Sequence, residues 1–169
     1  MDKTNVVLIG MPGVGKSTVG VILAKEIGME FLDTDILIQT SQGALLKDII
    51  SENGAEGFMK IEEDICSSVN ETRKVIATGG SVCYSEKAMN HLKEKGVVVY
   101  LKIAFDELEL RLGDLRMRGV VLKPGQTLKT LYDERCPLYE KYADIVIDET
   151  GCDIEKTLSK IKTKLIFPL

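Results

Sequence analysis

The stretch Gly10-Met-Pro-Gly-Val-Gly-Lys-Ser-Thr18 follows directly on the apolar run Val6–Ile9. Gly10, Gly15, Lys16 and Ser17 satisfy the spacing G-x-x-x-x-G-K-[ST]. Glycines let backbone N–H groups turn toward phosphate oxygens with no side chain in the way. The N-terminus of a following helix favours an anion. A lysine ammonium here is a point charge for the β- and γ-phosphates, and the serine hydroxyl is a hard oxygen for Mg²⁺. The chemistry implied is the holding of a nucleoside triphosphate.

A second group, Phe31-Leu-Asp-Thr-Asp35, carries two carboxylates two residues apart. On an extended backbone both point to one face. At the C-terminal end of a strand in an open α/β sheet, that face borders the ligand crevice. One acid can then hold hydrated Mg²⁺ while the other takes the proton of an alcohol attacking the γ-phosphate. The plainer alternative is a helix cap, with Thr34 or Asp35 starting a helix at Ile36. Beside a phosphate loop, the catalytic reading is preferred.

Such groups need rigid elements behind them. Short β-rich runs at Asn5–Ile9, Glu30–Leu32, Lys74–Ala77, Val97–Leu101 and Asp144–Ile147 alternate with longer stretches of helical spacing. Lys16–Ile27 is one of these, with Val19, Ile22, Leu23 and Ile27 on one face. Runs such as VVLI and VVVYL are apolar at consecutive positions, which suits a parallel sheet covered on both sides. The alternation predicts a three-layer α/β fold with a parallel five-stranded sheet. Length and the absence of repeats or linkers predict one domain over residues 1–169. The irregular region 113–126, with Arg116, Arg118, Lys123 and a Pro124-Gly125 turn, reads as a basic lid.

Composition removes several function classes. The net charge is −4 and the pI about 5.2, which argues against a nucleic-acid partner. Cys66, Cys83, Cys136 and Cys152 are scattered and His91 is the single histidine, so no zinc-ligand cluster is expected and the thiols read as reduced. The opening apolar run is too short for a secretory segment, and nothing is long enough to span a membrane. A cytoplasmic monomer with no membrane or nucleic-acid partner is expected.

In order and spacing, GMPGVGKST, FLDTD, ATGGS, the arginine-containing lid and DERCPLYEKYAD together resemble the shikimate kinase family. The resemblance implies a P-loop kinase fold of the nucleoside-monophosphate-kinase type. It also implies ATP and Mg²⁺, and transfer of the γ-phosphate to the 3-hydroxyl of shikimate, a small hydroxy acid. It assigns Gly13, Val14, Gly15, Lys16, Ser17 and Thr18 to the phosphates, Ser17 and Asp33 to Mg²⁺, and Asp35 to the acceptor hydroxyls and the proton. It further implies Gly79, Gly80 and Arg135 at the acceptor, with Arg135 on its carboxylate, Arg118 over the transferring phosphate, and Arg111 against adenine. The catalytic set is thus Asp35, Lys16 and Arg118. A helical region of about residues 34–70 would bind the acceptor. Taken without the resemblance, each arginine also reads as an ordinary solvated or paired side chain, Arg135 with Asp144 or Glu134.

Three positions depart from the family pattern. Met59 stands where Phe-Arg-x-x-Glu has its arginine, between matching Phe58 and Glu62. Methionine cannot make the paired, charge-assisted bonds of a guanidinium to a carboxylate. The loss is worth ~1.5–3 kcal/mol, or about 10- to 100-fold in affinity. Lys60 is adjacent but points about 100° away on a helix. Ser81 replaces a third glycine, and Gly119 replaces a proline after Arg118. The ATP half reads as intact and the acceptor half as altered. Two alternatives therefore stay open: a related sugar-acid, polyol or nucleoside monophosphate kinase, and a non-catalytic ATP-binding sensor.

Overall fold

The five residues of β1 (Asn5–Ile9) are all buried, as consecutive apolar side chains must be when helices cover both faces of a strand. The computed structural model of the chain describes residues 3–112 and 120–165. β1 is followed by α1 (Lys16–Glu26), β2 (Glu30–Asp33), α2 (Thr34–Gln42), α3 (Leu46–Ser68) and β3 (Lys74–Ala77). A 3₁₀ turn (Gly80–Tyr84), α4 (Glu86–Lys95), β4 (Gly96–Lys102), α5 (Phe105–Leu112), α6 (Leu128–Tyr142), β5 (Ile145–Asp148) and α7 (Ile154–Lys164) complete the order.

The strands form one parallel sheet in the order β2-β3-β1-β4-β5. α1 packs on β2 and β3 and meets α7, which lies on β5; α4 packs on β1 and β4 and meets α3. The result is the expected three-layer α/β fold. β1 and β3 are neighbours whose following helices leave in opposite directions along the sheet order. That is a topological switch point, where a crevice opens at the strand C-termini. The phosphate loop leaves β1 there, Thr78-Gly79-Gly80 leaves β3, and Asp33 ends β2 beside it. Among the described residues, no helix is long and apolar enough to cross a membrane.

Strand positions follow the sequence reading closely, with ends shifted by a residue. One shift matters for chemistry. β2 runs through Asp33 and α2 begins at Thr34, so Asp35 lies in the first helical turn and does not share an extended face with Asp33. α3 is also interrupted. Gly54 has φ 69° and ψ 179°, a conformation outside the helical region that divides α3 into two segments. Arg116, Arg118 and Gly119 lie outside the described residues.

Candidate active site

The loop after β1 is built on backbone that only glycine adopts readily. Gly13 has φ +80°, and a Cβ there would stand 2.5 Å from Leu112 Cδ2. Lys16, 8% exposed, donates to the carbonyls of Gly10 (2.7 Å) and Met11 (2.9 Å). Burial lowers its pKa to about 8 against the pull of Asp35, so it gives up water and keeps its charge by lying on its own loop.

Ser17 and Asp33 meet across the first and second βα turns. The Ser17 hydroxyl donates to Asp33 Oδ2 at 2.7 Å, and Asp33 Oδ1 accepts from the Asp35 N–H at 2.9 Å. Asp33 is therefore the N-cap of α2. The cap anticipated at Thr34 or Asp35 sits one or two residues earlier, at Asp33. One oxygen caps the helix while the other faces Ser17. A hydroxyl and a carboxylate make a hard-oxygen pair that fits Mg²⁺, which takes the rest of its shell from phosphates and water.

Asp35 lines a cleft of about 460 Å³ together with Gly13, Lys16, Ser17, Phe58, Glu62, Gly79, Gly80, Ser81, Val121 and Arg135. Its Oδ1 is buried and makes no hydrogen bond among the described residues. Burial first, and then the neighbouring Asp33 carboxylate, raise its pKa to about 6. Lys16 opposes the rise. A desolvated carboxylate with a free oxygen favours taking a proton from a bound alcohol.

Arg135, in α6, is 1% exposed and among the largest fully buried side chains. Its Nη2 donates to Val121 O (3.3 Å) and its Nε to Tyr84 Oη (3.4 Å), while the guanidinium stacks on the Tyr84 ring at 5.3 Å. Among the described residues no carboxylate pairs with it. The surface pairing with Glu134 or Asp144 does not occur: Tyr84 donates to Glu134 (2.6 Å), and Lys3 and Lys93 hold Asp144. A buried guanidinium without a counter-charge, turned into a cleft, is suited to an anionic group. Tyr139, one turn on, donates to Gly80 O at 2.6 Å and ties α6 to the glycine turn.

Lys60 is not part of this cleft. It is exposed and pairs with Glu63 (3.1 Å) and Asp64 (3.0 Å). Lys123 lies 3.5 Å from Glu134. Cys83 is buried and its thiol is pushed up to about 12, while burial also raises Cys136, so neither is a ready nucleophile. A neighbouring groove is lined by Gly13, Val14, Thr18, Arg111, Glu149 and residues 152–155. There Arg111 pairs with Glu107 and with Glu149 (2.9 Å) and donates to Val14 O (3.4 Å).

Two participants were not among the candidates drawn from sequence. Glu149, 2% exposed, faces Arg111 with a pKa raised to about 7 by burial. Glu62, 1% exposed, accepts from the Ser81 hydroxyl through Oε2, and its Oε1 has no partner among the described residues. Gly79 is pressed against it: a Cβ there would collide with Glu62 Oε1 and lie 2.9 Å from Asp35 Oδ1. The Phe58-x-x-x-Glu62 spacing was the signal for Glu62; nothing local marks Glu149.

Burial raises the Glu62 pKa from 4.5 to about 7. Below about pH 4.5 the group is neutral whether folded or unfolded, so its burial costs nothing extra there. Above that, the unfolded chain ionises first and the folded state lags until about pH 7. The carboxyl thus destabilises the fold increasingly across this window, by about 3 kcal/mol at its top. Glu62→Gln is expected to raise Tm relative to the wild type more at pH 8 than at pH 5, by roughly 5–10 °C. Thermal melts at the two pH values check this, and a pH-independent difference contradicts it.

Residues 12–166 match the family model described as shikimate kinase. The chain is 38% identical over 160 residues to a shikimate kinase of Thermodesulfovibrio yellowstonii, covering 93% of this chain and 92% of that one. It superimposes on the shikimate kinase of Acinetobacter baumannii in complex with shikimate with a TM-score of 0.86 at 31% identity, covering 96% of this chain and 95% of the other. A gluconokinase from Sinorhizobium meliloti 1021 covers 94% of this chain and 93% of its own with a TM-score of 0.54, but at 16% identity it shares the fold alone.

Proposed function

The chain belongs to the shikimate kinase family, and from that membership we propose how its residues divide the work of phosphoryl transfer. The activity is that of an ATP- and Mg²⁺-dependent phosphotransferase acting on an alcohol group. The acceptor is shikimate and the γ-phosphate goes to its 3-hydroxyl. The observation that carries the assignment is the meeting of Lys16, Asp35 with its bare oxygen, and Arg135 in one cleft.

Gly13 to Thr18 wrap the phosphates by their backbone N–H groups. Lys16 leaves the Gly10 and Met11 carbonyls for the terminal phosphates; its existing bonds keep it charged until then. Ser17 and Asp33 would hold the metal. When bound there, Mg²⁺ supplies charge that stabilises the transferring phosphoryl group. Asp35 orients the acceptor hydroxyl and takes its proton as the new oxygen–phosphorus bond forms and the bond to the leaving diphosphate breaks. Arg135 holds the acceptor carboxylate, with Gly79 and Gly80 as backbone walls. Arg111, fixed by two carboxylates, offers a flat face to the adenine. Arg118, outside the described residues, is assigned to the transferring phosphate.

We read the chain as one P-loop kinase domain, with the acceptor-side helices at about 34–70 and the lid at 113–126. It works as a cytoplasmic monomer without nucleic-acid or membrane partners; four unpaired cysteines accord with a reducing compartment.

A panel of hydroxy acids and polyols, assayed for ADP release, tests the acceptor. Shikimate should be turned over far faster than glycerol. If it is no better than glycerol while another polyol is fast, the acceptor is wrong and the chemistry stands. Met59 leaves Arg135 as the guanidinium for the carboxylate, so Met59→Arg is expected to lower KM for shikimate about 10-fold. An unchanged or raised KM contradicts this placing of the carboxylate.

A further inference from the structure

We propose that Ser81 is a positioning residue for the acceptor, acting through Glu62: its hydroxyl holds one oxygen of that carboxyl so that the other is turned to the acceptor. The proposal rests on the phosphotransferase reading above.

Ser81 lies in the 3₁₀ turn that leaves β3 and is 4% exposed. Its hydroxyl donates to Glu62 Oε2 from across the cleft wall. Glu62 comes from α3, and among the described residues no cation forms an ion pair with it. One helical turn earlier on α3, where a partner at i−3 would stand, is Met59. Ser81 is therefore the donor that anchors this carboxyl.

The consequence is geometric. With Oε2 held, Oε1 is turned toward Gly79, and it is buried and without a hydrogen bond. Asp35 Oδ1 is buried and without a hydrogen bond beside the same Gly79 Cα. Two bare carboxyl oxygens, one from α2 and one from α3, thus flank one short piece of backbone that lines the cleft. Buried acceptors in this state are completed by donors, and a substrate with neighbouring hydroxyl groups brings them. Glu62 released from Ser81 loses the fixed direction of Oε1, and acceptor binding weakens while the phosphate loop is untouched.

The test uses the full chain with shikimate, ATP and Mg²⁺, and reads kcat and both KM values with Tm as a check on folding. Ser81→Ala should raise KM for shikimate about tenfold and leave KM for ATP within twofold. Ser81→Cys keeps the shape with a weaker donor and should move KM the same way. Met59→Arg should lower KM by more in the Ser81→Ala background than in the wild type, because there a guanidinium one turn from Glu62 also takes over its anchoring. If Ser81→Ala does not fold, Ser81→Cys alone decides. An unchanged KM for shikimate in the folded variant, or both KM values rising together with a fall in Tm, overturns the proposal. A wild-type chain that releases no ADP with shikimate overturns the phosphotransferase reading as well, whereas an active wild type with an unaltered Ser81 variant overturns this proposal alone.

Discussion

Asp35→Asn is expected to lower kcat with shikimate by ~10³-fold while ATP affinity stays within about twofold. Asparagine keeps the size of the side chain and its place in the first turn of α2. It removes the charge and the basic oxygen that burial and Asp33 have made ready to accept a proton. The contacts proposed for ATP are in the loop at residues 10–18, so nucleotide binding is expected to hold. The measurement is steady-state kinetics beside a nucleotide titration. A protein that only sensed ATP would be indifferent to the substitution. A kcat within tenfold of the wild type contradicts the role of Asp35 as the base.

The second large effect is on the acceptor. Arg135→Lys is expected to raise KM for shikimate about 100-fold, with a smaller change in kcat and none in KM for ATP. The guanidinium lies over the Tyr84 ring, and its Nη2 donates to Val121 O in the lining of the cleft. Lysine keeps a charge but offers a single ammonium without that planar pair of donors. With Met59 one helix away there is no second guanidinium from α3 to share the load. Because Arg135 is fully buried, Tm must be followed as well. A folded variant with wild-type KM would show that the acceptor carboxylate binds elsewhere.

These effects follow from how the site is assembled. Three strand ends at one switch point bring the phosphate loop, Asp33 and the glycine turn together, and α6 lowers Arg135 onto them from the far side. Val121 both lines the cleft and accepts from Arg135. Glu134, the neighbour of Arg135, accepts from Tyr84 and from Gln126 (3.2 Å). Gln126, Glu134, Tyr84 and Arg135 therefore form one hydrogen-bonded group.

How far this could be read from the chain depended on the range of the interactions. Strands in a covered parallel sheet write themselves as consecutive apolar residues, so β1 and β3 were found at their full lengths and the others within one residue at each end. The glycine loop was equally plain, because its spacing is local. The two aspartates were found, but their geometry was taken from an extended backbone. The cap formed by Asp33 starts the helix early and lifts Asp35 into its first turn. The break at Gly54 rests on a single left-handed glycine in an otherwise helical pattern. The bonds of Ser81 to Glu62 and of Arg111 to Glu149 join residues 19 and 38 apart. Such pairs are set by how helices and turns pack, and neither sequence period nor motif spacing carries them.

The central claim is that a phosphate cradle and the Asp35 carboxylate face each other across a gap that fits one small hydroxy acid. A crystal structure of the full chain with Mg²⁺, a non-hydrolysable ATP analogue and shikimate measures it directly. The account predicts Asp35 Oδ1 at about 2.6–3.2 Å from the acceptor hydroxyl that faces the terminal phosphate, with the acceptor carboxylate on Arg135. An empty loop at residues 10–18, or an Asp35 carboxyl turned away from the acceptor, would contradict it.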